Sequence, residues 1–134
     1  MAPEPEWKDV YQTHCAAQLG DAALLQAQIH SCFVTNLDAP DDDGWAALHY
    51  AAWYGHEAAV RVLLNAGATV DVITPNQATP LHFAAGAGRI EAVKALLEAG
   101  AQRDRRNEEK QTPAQLAKQL KPEGWEDVVI LLES

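Results

Sequence analysis

An all-α solenoid is what this sequence predicts, built from four stacked helix-turn-helix units linked by hairpin-like loops. Three observations carry that reading. A motif recurs after 33 residues, paired apolar segments each stop at a glycine, and the chain holds 25 alanines among its 134 residues. The period is the first thing to establish, because a missed repeat mis-assigns the whole fold. Set above one another, LHYAAWYGHEAAVRVLLNAGATVDV (48–72) and LHFAAGAGRIEAVKALLEAGAQRDR (81–105) align without a gap.

Taken in chain order, the first unit is the degraded copy HCAAQLGDAALLQAQI (14–29), which repeats the His, Ala-Ala and Gly positions 35 residues ahead of their match. The second and third units are the two aligned segments. In each, a short apolar segment such as Leu81 to Ala87 ends at a glycine, Gly55 or Gly88, where the left-handed backbone that closes a helix has no steric cost. A second segment follows, with Ile90, Val93, Leu96 and Leu97 at helical spacing on one face, and it stops at Gly67 or Gly100. The fourth unit, TPAQLAKQLKPEGWEDVVILLE (112–133), keeps Thr112, Pro113, Leu116, Ala117, Leu131 and Leu132 but needs two extra residues near Lys121 to Trp125. Each unit has an apolar face too large to bury alone, so neighbours must stack. Alanine lets the helices approach closely. The linking stretches VDVITPNQA and RDRRNEEKQ are polar and suit extended loops. The expected organisation is a Pro/Glu tail over 1–6 and one domain over 7–134, with units at 7–40, 41–73, 74–106 and 107–134.

Thr79-Pro80-Leu81-His82-Phe83-Ala84 resembles the Thr-Pro-Leu-His-x-Ala signature of the ankyrin repeat family, whose period is also 33 residues. Asp43-Gly44-Trp45 followed by Leu48-His49-Tyr50-Ala51-Ala52 is similar to the family's run into a repeat. The resemblance covers residues 7 to 134. A 34-residue helical repeat would show Trp-x-x-Leu-Gly-x-x-Tyr instead. Departures from the pattern carry expectations of their own. Ala46-Ala47 in place of Thr-Pro removes an N-cap hydroxyl worth roughly 1 kcal/mol. Gln77 and Lys110 replace the glycine found at Gly44, so those loop tips are expected to differ in backbone shape. Ala114-Gln115 replaces Leu-His, as suits a capping unit with a more polar outer face.

Charge excludes some functions. Ten basic residues against 19 acidic give a net −9, unlike the clustered Lys and Arg of a nucleic-acid groove or polybasic membrane anchor. Residues 1–45 hold eight acids and one base, so most of the imbalance lies at one end. The opening MAPEPEW has no basic n-region and no apolar stretch, so no signal peptide is expected, and no run approaches the length of a membrane span. Cys15 and Cys32 lie in apolar helical contexts and are expected as buried thiols in a reducing compartment, cytoplasm or nucleus.

Catalytic and metal chemistry is not expected either. His49 and His82 share the repeated Leu-His position, and the family resemblance implies that they hydrogen-bond loop backbone. His56 begins HEAAV, which lacks the second histidine of a zinc-protease motif. DAPDDDG resembles a calcium loop but fails at Ala39 and Tyr50, where acidic ligands belong. Ser31 and Ser134 have no partnering His-Asp arrangement at a plausible spacing, and no phosphate loop occurs. No enzyme activity, cofactor or metal is expected.

What remains is surface. The ankyrin resemblance implies a partner protein bound on the concave face, by loop tips and by first-helix positions just before the glycine. Those positions are Asp42, Asp43, Trp45, Trp53 and Tyr54 in the second unit, and Ile73, Pro75, Asn76, Ala78, Gly86 and Ala87 in the third. The fourth contributes Arg106, Glu108, Glu109, Gln111, Gln119 and Leu120. Trp53 and Tyr54 are adjacent on a helix, so their side chains diverge by about 100°. Beside Gly86 and Ala87 they form a ridge next to a hollow, either for docking or leaning on neighbouring elements. Trp45 is read the other way, as packing against the adjacent loop, and Trp7 and Trp125 as packing in the end units. Asp38, Asp41, Asp42 and Asp43 make the first tip acidic. Arg103, Arg105, Arg106 and Lys110 tilt the third toward basic, unless both loops are merely solvated. A crossing partner segment would then present basic residues to the first tip and acidic ones to the third. The expected function is an adaptor or inhibitor acting as a monomer, with an assembly chaperone or escort subunit as the alternative.

Overall fold

Inner helices of seven or eight residues are too short to be stable alone, so their burial decides the fold. This computed structural model describes the backbone of residues 6–30 and 36–134, and side chains within those spans from residue 12 onward. The described helices are α1 (Glu6–Leu19), α2 (Ala22–His30), α3 (Ala47–Tyr54), α4 (Glu57–Asn65), α5 (Pro80–Gly86), α6 (Ile90–Glu98), α7 (Pro113–Leu120) and α8 (Trp125–Glu133). They form two rows. The first helices α1, α3, α5 and α7 pack in sequence against one another, and α2, α4, α6 and α8 do the same behind them.

The alternation of small and large side chains places the core between the rows. Ala51, Ala52, Ala84, Ala85 and Ala117 are fully buried and bring the first helices close together, while Leu25, Leu48, Val60, Leu63, Leu81, Val93, Leu96 and Val128 fill the space between the rows. Each buried leucine or valine contributes about 1.5–3 kcal/mol. Ile90, Val93, Leu96 and Leu97 share the apolar face that their spacing predicts, Val93 and Leu96 fully buried and the other two partly so. Gly55 closes α3 at φ 74°, and the cap backbone N–H groups reach the Ala51 and Ala52 carbonyls.

Three ladders of hydrogen bonds recur at the repeat spacing, the first through all four units and the other two through the first three. His14 Nε2 donates to the Trp45 carbonyl at 2.7 Å, His49 Nε2 to those of Val72 and Ala78 at 2.9 and 3.3 Å, and His82 Nε2 to Gln111's at 2.8 Å. Their other ring nitrogen works locally: His49 Nδ1 accepts from the Ala46 N–H and His82 Nδ1 from the Thr79 N–H. Both histidines hold loop backbone, as the family resemblance implied. In a second ladder, Asp38 accepts from the Thr69 N–H and hydroxyl, and Asp71 from the Gln102 N–H. In the third, His56 reaches the Gln18 carbonyl and Arg89 the Trp53 carbonyl.

Two expectations are corrected. The three loop tips share one backbone shape: Gly44 has φ 82°, Gln77 61° and Lys110 64°. Each closes the same turn, with Gly44 donating to the Asp41 carbonyl, Gln77 to Thr74's and Lys110 to Asn107's. Side chains of Asp41, Thr74 and Asn107 accept further loop N–H groups. These bonds offset the cost of a left-handed backbone at non-glycine positions, about 1–2 kcal/mol each. The Cys15 thiol is free and exposed. Residues Thr13, His14, Ala16 and Ala17 turn inward, which points position 15 outward. Cys32, Ser31 and the Trp7 side chain lie outside the described residues.

The missing cap in the second unit has the expected consequence. The Thr79 and Thr112 hydroxyls accept from the His82 and Gln115 N–H groups, whereas Ala46 supplies no cap. Ala46→Thr is therefore expected to raise stability by about 1 kcal/mol, measurable as a higher urea midpoint with unchanged slope. In the fourth unit the two extra residues form a turn with φ 49° at Lys121 and 81° at Gly124, and Trp125 packs partly buried beneath it.

Candidate functional site

The first-helix row and the hairpin tips share one face, and an aromatic row runs across it. Residue 50 and its repeat equivalent, residue 83, sit on the first helices with their rings half-buried. Phe83 is the hub: its ring centroid lies 4.5 Å from Trp45, 5.1 Å from His49 and 6.0 Å from Trp53, the last edge to face. Trp45 also lies 5.2 Å from Tyr50. The Tyr50 hydroxyl donates a hydrogen bond to Asp41. Burial raises the Asp41 pKa, but that hydrogen bond and the Trp45 and Asp43 N–H groups outweigh it and hold the carboxyl below its ordinary value. Burial, then the bond to Asp41, pushes the Tyr50 hydroxyl upward. This network stiffens the first hairpin against α3.

Trp53 and Tyr54 diverge as their helical adjacency requires. Trp53 turns toward Phe83 of the following unit. Tyr54 turns toward the preceding one, accepting from Gln18 Nε2 at 3.3 Å and stacking on His56 at 6.3 Å. Each touches a neighbour yet stays 38% and 39% exposed. The hollow expected beside them is filled. Gly86 is buried, and a Cβ there would lie 3.3 Å from Leu120 and 3.4 Å from Leu116. Leu120 itself is exposed, as is Ile73.

An open cleft of about 220 Å³ lies between the second and third hairpins, against α5 and α7. It brings together Trp45, Asn76 and Glu108 with Thr74, Ala78, Phe83, Asn107, Glu109, Gln111 and Leu116. The Glu108 N–H donates to the Asn76 carbonyl at 2.8 Å, joining the two hairpin tips. Asp42, Asp43, Trp53, Tyr54, Ile73 and Arg106 are exposed but do not line it. Phe83 is part of the repeat signature but not among the site residues expected from the sequence. Its signal was the aromatic at the same repeat position as Tyr50.

The charge contrast between tips is smaller than composition suggested. Asp38 and Asp41 are engaged by Thr69 and Tyr50, leaving Asp42 and Asp43 outward. Arg103 donates to the Leu131, Leu132 and Ser134 carbonyls and so caps α8. Among the described residues no cluster of His, Cys, Asp or Glu could hold a metal ion, and no helix is long and apolar enough to cross a membrane.

Paired helices stacked in register, tied by periodic histidine and aspartate ladders, define a helical-repeat solenoid. The family model described as ankyrin repeats (3 copies) matches residues 13–107 and 66–133. The chain belongs to the ankyrin repeat family. It is 41% identical to calmodulin-binding transcription activator 6 of Arabidopsis thaliana over 61 residues, 46% of this chain and 7% of that protein. It is 37% identical to the human NAD-capped RNA hydrolase NUDT12 over 70 residues, 52% of this chain and 15% of that one. Human ankyrin repeat and SAM domain-containing protein 3 matches at 34% over 62 residues, 46% of this chain and 9% of its own length. The chain thus spans a small part of each relative.

Proposed function

We propose that this chain binds a partner protein through the concave face carrying Trp53, Tyr54 and the hairpin tips, acting as a non-enzymatic adaptor or inhibitor. Ankyrin repeats generally mediate protein–protein interaction. The observation that carries the reading here is the pair of large aromatics left more than a third exposed on a face whose remaining rings are packed. Aromatics in such settings dominate interface energetics, often at 2 kcal/mol or more on truncation. Relatives named for a transcription activator and an RNA hydrolase share only 7% and 15% of their length with this chain, and the repeats that the chain itself carries support a binding role. The proposed setting is the cytoplasm or nucleus, with the chain monomeric.

Affinity capture with wild type beside Trp53→Ala/Tyr54→Ala tests this. Both side chains also pack on neighbours, so the variant is expected to unfold at a somewhat lower temperature, and capture is compared where thermal unfolding shows both baits fully folded. The variant is expected to lose partners by about 30-fold or more. Direct change of the captured partner's activity would mark an inhibitor, whereas changed yield of a larger assembly would mark an escort. Undiminished capture by the variant would place binding elsewhere.

A further inference from the structure

We infer that the cleft between the second and third hairpins receives an arginine side chain of the partner protein. The inference rests on the protein-binding reading above and names the chemistry it recognises. Trp45 and Phe83 give the cleft an aromatic wall, Leu116 an apolar one, and Glu108 and Glu109 an acidic rim. At about 220 Å³ it is smaller than the pockets that enclose a drug-sized ligand, and suits one side chain. Gln111 lines it as well, and its Oε1 is buried and accepts no hydrogen bond, while its Nε2 donates to Gln119. An unsatisfied buried acceptor is unfavourable. A turn of the amide toward the cleft would let an entering donor satisfy it.

A guanidinium meets all of these demands together. It stacks on aromatic faces, carries several donors in a planar fork and pairs with carboxylates. An aliphatic side chain would leave the acids and Gln111 unanswered, and an acidic one would be repelled by Glu108 and Glu109. Arg106 and Lys110 flank the same hairpin but do not line the cleft. The chain's net charge of −9 further favours approach of a basic segment.

The test titrates the full chain with an Ala-Ala-Arg-Ala-Ala peptide, and with the same peptide carrying neutral citrulline, while following backbone, Trp45 indole and Gln111 amide resonances by NMR. The arginine peptide is expected to shift Trp45 and Gln111 saturably, with citrulline binding about fivefold more weakly. Glu108→Gln/Glu109→Gln should weaken the arginine peptide by a similar factor. Asp42→Asn/Asp43→Asn removes the same charge away from the cleft and should leave its affinity within about twofold. Equal binding of arginine and citrulline, or greater sensitivity to the Asp42/Asp43 variant, would overturn the inference. Because the titration uses no natural partner, such a failure would leave the concave-face reading to its own capture experiment.

Discussion

Alanine at Gly88 is expected to lower stability by about 3 kcal/mol, against about 1 kcal/mol for alanine at Gly100. Both glycines have left-handed backbone, φ 72° and 93°, so both substitutions carry the conformational cost of a Cβ there. They differ in what surrounds the added atom. At Gly100 nothing lies within 4 Å. At Gly88 the Cβ would lie 2.3 Å from the Glu123 carbonyl oxygen and 3.2 Å from Pro122 Cβ. That oxygen is backbone, in the turn between α7 and α8, so relief requires displacing that turn from the third unit. Paired urea unfolding curves check the contrast. Equal losses would mean that the interface yields freely and that unit stacking is looser than the packed core implies.

Acid is expected to weaken the fold from near neutrality, with His49 as the largest single contributor. The His49 ring is fully buried, and burial lowers its pKa from 6.5 to about 4, although its bonds to the Val72 and Ala78 carbonyls oppose the shift. A folded-state value below the unfolded one means that the unfolded chain takes up the proton first. Its stabilising contribution is therefore complete above pH 6.5, falls as pH drops and is spent near pH 4, a loss of about 3 kcal/mol. Burial moves His82 in the same direction. The lowered Asp41 carboxyl adds to the loss at still lower pH. Urea midpoints at pH 7 and pH 4.5 measure the effect. His49→Gln should flatten the pH dependence by about one proton in this window, at a cost in stability at pH 7. The chain already uses that solution in its fourth unit, where Gln115 Oε1 accepts from the Thr112 N–H. An unchanged slope in the variant would assign the acid sensitivity to other groups.

The helices, their glycine stops and the apolar face of Ile90, Val93, Leu96 and Leu97 were legible because each follows from local steric rules repeated every 33 residues. Residue type alone does not give the shape of the loop tips, because hydrogen bonding within the turn decides it. Gln77 and Lys110 adopt the glycine conformation since Thr74 and Asn107, polar residues at the Asp41 position, supply the same turn. The acidic first tip was overcounted for a related reason: Asp38 recurs as Asp71, and that periodicity marked it as a link between units. Cys15 was obscured by alanines on its C-terminal side, which blur the helical phase. Asp42, Asp43, Trp53 and Tyr54 follow one by one from their repeat positions, but the cleft around Phe83 and Gln111 needs the hairpins, α5 and α7 together, and no single stretch of sequence contains it.

The most direct measurement of the central claim is photo-cross-linking in cells with p-benzoylphenylalanine placed at Tyr54 or Leu120 on the first-helix row, and at Leu24 or Ile130 on the second. All four positions are exposed, so the substitutions test location with little effect on folding. The account predicts cross-links to a partner protein from Tyr54 and Leu120 and none from Leu24 and Ile130. Cross-links from the second row alone would contradict it.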